Sequence, residues 1–78
     1  MTVKQLIDKL TLMNPKSLVV LSRDDEGNGY LPLAQIDDNS KYEDGEIGIA
    51  ELTDELMAQG YSEEDVMSGG KRCIVLFP

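Results

Sequence analysis

The chain has no histidine and a single cysteine, Cys73. The first absence removes Ser–His and Cys–His pairs and the commonest general base. Together the two exclude a typical structural zinc site, which draws its ligands from Cys and His. One cysteine cannot form an internal disulfide, so nothing points to an oxidising compartment. Prolines number three and hydrophobic residues make up 41% of the chain, a balance that favours folding over disorder. No hydrophobic stretch is long: the run Ile74–Phe77 falls far short of a membrane span. The opening residues lack the charged-then-apolar layout of a secretion signal. What these absences leave is one small domain, expected to be soluble and intracellular. A thin core and a stability of roughly a few kcal/mol go with that size.

Positive charge is missing from the middle of the chain. Between Asp24 and Asp65 stand fourteen of the fifteen carboxylates, against Lys41 as the only basic residue. That stretch carries a net charge of −13 while the whole chain carries −8, because both ends are mildly basic. A surface of this sign repels nucleic acid and anionic lipid. It attracts cations or a basic protein surface.

Hydrophobic spacing predicts an amphipathic helix over Thr2–Met13, with Val3, Leu6, Ile7, Leu10 and Met13 on one stripe. Thr2 and Gln5 have the spacing of a capping box, and Asn14-Pro15 ends the helix. Ser17–Ser22 reads as a strand. A turn follows over Arg23–Gly29, and Tyr30–Ile36 reads as the return strand of a hairpin. Pro32 makes that return strand an edge strand or a bulged one. Asp37–Gly45 reads as an acidic loop. Glu46–Ala50 is a weak third strand, since Gly45 and Gly48 both disfavour it. Thr53 caps a short helix over Asp54–Gln59, closed by Gly60, and Ser62 caps a second turn over Glu63–Met67. Arg72–Phe77 is continuously apolar after its first residue and reads as a central strand that returns beside the first. The expected fold is α+β: an antiparallel or mixed sheet of three to four strands, the N-terminal helix on one face and short helices before the last strand.

Several segments resemble sites without completing them. From Asp24 the pattern D-x-E-x-N-G-Y-L matches the early part of an EF-hand loop. Its twelfth position, however, is Gln35 where a bidentate Glu is needed, and the flanks read as strands. A solvated turn is the plainer reading, with weak cation or small-ligand binding at Asp24–Gly29 as the alternative. Gly69-Gly70-Lys71 lacks the Ser or Thr and the following helix of a phosphate loop. Cys73 lies in an apolar strand without a base, the setting of an inert thiol. A carboxylate pair can do acid–base work only in a cleft that raises one pKa, and this chain is short for one. No cofactor motif is present, and a non-enzymatic protein is expected.

Binding is the remaining class. Tyr30 and Tyr61 read as half-buried, whereas Tyr42, among polar neighbours, reads as an exposed contact residue. Asp24, Asp25, Glu26, Asp37, Asp38, Tyr42, Glu43 and Asp44 are the expected partner-binding residues. The acids would steer a basic partner and Tyr42 would make the short-range contact. The same acidic surface could imitate a phosphate backbone. A homo-oligomer built through a sheet edge is a further alternative.

The segments Met1–Leu10, Asn14-Pro15, Leu18–Ser22 and Asp24–Tyr30 resemble a group of small uncharacterised proteins of tailed bacteriophages and prophages. Glu51–Leu56, Gly60–Asp65 and Cys73–Pro78 fit the same group. The resemblance covers most of the chain and carries no assigned activity or catalytic residue. It implies the cytoplasm of a bacterial host and action by binding a host protein; with the charge, the expected partner is a basic host or phage protein.

Overall fold

The computed structural model describes residues 1–22 and 29–78. Helix α1 runs over Val3–Thr11. Its start is the expected capping box: the Thr2 hydroxyl accepts from the Gln5 N–H at 3.2 Å, and the Gln5 side-chain Oε1 accepts from the Thr2 N–H at 2.9 Å. Lys9 stands in the last turn, where a cation suits the helix dipole. Beyond the helix, the Asn14 carboxamide accepts from the Lys16 N–H at 2.9 Å and the Asn14 carbonyl from the Ser17 N–H at 3.0 Å. This turn delivers the chain into strand β1, Leu18–Leu21.

Strand β2 spans Gln35–Glu43, β3 spans Glu46–Ile49 and β4 spans Lys71–Phe77. The four form one mixed sheet in the order β1-β4-β2-β3. Strand β4 is central, parallel to β1 and antiparallel to β2, and β2 pairs with β3 antiparallel. The position of β4 explains its composition: a strand covered on both sides reads as a continuous apolar run. Cys73, Ile74 and Val75 are buried there, and with Ala50 they are the buried apolar residues of the described chain. Between β3 and β4 lie helix α2, Asp54–Ala58, capped by Thr53, and a 3-10 turn over Glu63–Asp65. Val66 makes a parallel bridge to Ile49, and the Met67 N–H donates to the Ile49 carbonyl at 2.9 Å, so the edge of β3 is partly closed by its own chain.

The small α+β architecture, the central last strand and its placement beside the first match the expectations from sequence. So does the third strand. Two expectations need correction. Residues 30–34 form no strand, and no hairpin joins Ser17–Ser22 to Tyr30–Ile36; β1 pairs with β4 instead. Pro32 has no N–H to give a ladder, and the paired strand begins only at Gln35, just after the Ala34 N–H donates to the Phe77 carbonyl at 2.9 Å. The second correction is larger. Asp37–Gly45 is not a loop: as far as Glu43 it belongs to β2, the longest strand of the sheet. Pairing of the residues on either side of Asp38-Asn39 carries these poor β-formers into the strand as an irregularity.

The apolar stripe of α1 is largely uncovered. Leu6 is half-buried, but Val3, Ile7 and Leu10 are exposed. The N-terminal ammonium donates to the Leu33 carbonyl at 2.9 Å and ties the start of the helix to the segment entering β2.

Candidate functional site

Strand β2 carries four of the eight expected binding residues, Asp44 follows it in the turn, and the strand divides them. Asp37 and Asp38 lie at an irregularity where the register with β4 shifts between Asp37 and Ser40. Tyr42, Glu43 and Asp44 lie at the hairpin end. Five residue steps of strand separate Asp38 from Glu43, about 16 Å. Asp24, Asp25 and Glu26, with the cation-loop reading built on them, lie outside the described residues.

The irregular part of β2 is held by side chains. Asp37 is half-buried, and its two carboxylate oxygens accept from the Asn39 N–H and from the Ser40 hydroxyl, each at 2.8 Å. Ser40 is buried. Asn39 reaches across to Glu51: its amide donates to the Glu51 carbonyl at 2.9 Å and its oxygen accepts from the Glu51 N–H at 3.0 Å. Arg72 pairs with the Glu51 carboxylate at 3.0 Å and donates to the Asp38 carbonyl at 3.4 Å. Asp37 thus serves the chain's own backbone, while Asp38 keeps an exposed side chain. Behind this cluster Cys73 has no exposed surface. Burial first, and then the Asp37 charge, push its thiol above the usual cysteine range, against a smaller opposing effect of Arg72. The thiol is therefore neutral at physiological pH and chemically quiet.

The hairpin end is a two-residue turn. Asp44 and Gly45 both have positive φ, 49° and 86°, between Glu43 and Glu46, which face each other across the hairpin. Positive φ at both central residues is the mark of a type I′ turn, and Asp-Gly is a favoured sequence for it. Glu43, Asp44 and Glu46 are exposed there. Tyr42 is half-buried, between Ile47 and Lys71 in the pairing, which corrects its expected exposure. The surface tyrosine is Tyr30, fully exposed, and Tyr61 is partly exposed. Beside the turn lies an open groove of about 480 Å³ lined by Leu18, Tyr42, Glu43, Asp44, Gly70 and Lys71. Gly70 makes this wall possible: its φ is +85°, and a Cβ there would sit 2.8 Å from the Tyr42 carbonyl oxygen.

Across the acidic side the carboxylates stand without compensation. Residues 35–65 hold eleven acids and one base, Lys41. Among the described residues the one ion pair is Arg72–Glu51, and Lys41 points its ammonium to the Met67 carbonyl at 3.4 Å. Glu43, Asp44, Glu46, Asp54, Glu55 and Glu63 are all exposed. Among the described residues no group of three or more Asp, Glu, Cys or His is placed to hold a metal ion. Nor is any described helix long and apolar enough to cross a membrane.

Two signals of this site were present in the sequence and carried no weight in its reading. Asp44-Gly45 between short runs is the strongest hairpin signal a short segment can give. Arg72 is one of two basic residues at the head of an apolar strand and is the cation that pairs with Glu51. Asn39 had no signal, because its role depends on the register of β2 against Glu51. Comparisons with protein-family models, with curated proteins and with solved structures find nothing that matches this chain.

Proposed function

We propose that this chain is a non-enzymatic accessory protein that works by binding a basic protein through its acidic side. The observation that carries the reading is the uncompensated charge of residues 35–65, displayed on the β2–β3 hairpin, α2 and the 3-10 turn with a single ion pair among the described residues. Ordinary solvated surfaces intersperse charges of both signs; this stretch has almost none of the positive kind. The hairpin end supplies a rigid acidic tip, and the groove beside Tyr42 and Leu18 supplies apolar area next to it. Charge then steers the encounter and the groove retains the partner. The likeness to small phage and prophage proteins directs the search to a host or phage protein in the bacterial cytoplasm.

The test is a tagged pull-down from bacterial lysate at low and high salt, read by mass spectrometry. A basic protein retained at low salt and lost at high salt is the expected result. Binding of equal strength at both salts would refute steering by the acidic side.

A further inference from the structure

The chain exposes 6287 Å², whereas a compact monomer of its mass exposes roughly 4,700 Å² by the surface–mass relation of folded proteins. Its radius of gyration is 13.7 Å, against about 11.5 Å for a compact domain of this length. The excess, about 1,600 Å², falls within the roughly 1,000–2,500 Å² that each partner of an obligate homodimer buries. Much of it is apolar and belongs to two consecutive elements. Val3 and Ile7 of α1 are 76% and 57% exposed, and Val19 and Leu21 of β1 are 65% and 73% exposed. The core left to a monomer is the four residues already named.

The two edges of the sheet differ. The β3 edge is flanked by Glu46 and partly closed by Val66 and Met67. The β1 edge is Leu18-Val19-Val20-Leu21, short but without charge, proline or bulge to keep it from pairing. We infer that a second copy of this chain pairs with β1 in antiparallel register, joining two four-stranded sheets into one of eight. A two-fold axis at Val20 sets Val19 against the partner's Leu21, so each copy covers the other's exposed Val19 and Leu21. The occupant is a second copy because the missing area is that of an obligate homodimer and the strand is complementary to itself. Strand β3 and its hairpin turn to β2 lie away from this edge, and the groove proposed above shares only Leu18 with the paired strand.

Sedimentation velocity from micromolar to sub-millimolar chain should show a species of twice the chain mass. Dimerisation should hold or tighten with salt, because two copies of net charge −8 repel each other. That is the opposite of the salt response expected for the basic partner, so the two readings fail separately. Val19→Lys should weaken the dimer by about tenfold or more. As a check that does not depend on that variant folding, Val20→Cys should give an intermolecular disulfide on mild oxidation, the native Cys73 being fully buried. A monomer at every concentration overturns the inference. So does a dimer that Val19→Lys leaves intact and that Val20→Cys fails to cross-link.

Discussion

The Asn39 side chain closes on the backbone of Glu51 from both sides, donating to its carbonyl at 2.9 Å and accepting from its N–H at 3.0 Å. With the Ala50 N–H donating to the Asn39 carbonyl at 3.1 Å, this clamp extends the β2–β3 hairpin past the last strand pair and holds the start of the α2 segment against β2. Asn39→Ala removes both side-chain bonds and leaves the Glu51 groups to water. The expected loss is about 1–2 kcal/mol in a urea melt. Asn39→Asp keeps the acceptor but turns a carboxylate toward the Glu51 carbonyl, and should cost at least as much.

Gly70 offers a second test of the fold. Its positive φ and the 2.8 Å approach of a virtual Cβ to the Tyr42 carbonyl act in the same direction. Gly70→Ala should destabilise by about 1–3 kcal/mol, seen as a lower denaturation midpoint at unchanged slope. An unchanged midpoint would mean that the loop before β4 is not held against β2.

Stability should fall in alkali because of Cys73. Its thiol is raised above the ordinary value of 9.0 in the folded state, so the folded chain holds the proton more tightly than the unfolded chain. The stabilisation is fully present below pH 9.0 and is lost as pH rises through the higher folded value. In that window the slope attributable to this group approaches about 1.4 kcal/mol per pH unit. Cys73→Ala should flatten the curve just above pH 9 relative to the parent chain. A thiol reagent should react with the native protein only at the rate of unfolding.

Glu43 and Glu46 oppose each other across the hairpin, and like charges in that position destabilise a sheet. Glu46→Lys should therefore raise stability by roughly 0.2–1 kcal/mol. In the same variant the acidic tip loses two units of negative charge, so affinity for a basic partner should drop and its salt dependence should shrink. Stability and binding moving in opposite directions would separate a binding surface from a merely solvated one. Binding that rises with stability would remove the tip from the interface.

Those parts of the fold that rest on local chemistry were legible in the residues. Thr2 and Gln5 announce a capping box, Thr53 announces α2, and the apolar run after Arg72 announces a strand covered on both sides. Strand β2 was not legible, because Asp37, Asp38, Asn39 and Ser40 are turn formers by themselves. They become strand because Asp37 pairs with β4 and Ser40 with both β3 and β4, which is a property of the assembled sheet. The same holds for the aromatic residues. Tyr42 lies among polar neighbours in sequence and is half-buried because the register sets it beside Ile47 and Lys71. Tyr30 follows an apolar-looking pattern and is exposed because Pro32 keeps its segment out of the ladder. Of the candidate site, the total charge could be read and its arrangement could not. The division of β2 into a bonded bulge and an open tip follows from one register shift that no spacing announces.

The central place of β4 has a consequence for synthesis. It joins β1 on one side to β2 and β3 on the other, so the first and last strands of the chain are neighbours. While a ribosome is still making Lys71–Phe77, β1 has no partner and the β2–β3 hairpin stands alone, and an isolated two-stranded hairpin is barely stable in water. The sheet therefore cannot grow stepwise and must close in one event once β4 is available. Until then the apolar β1 is open to chaperones and to other nascent copies, and loss of the final seven strand residues would leave no sheet to rescue.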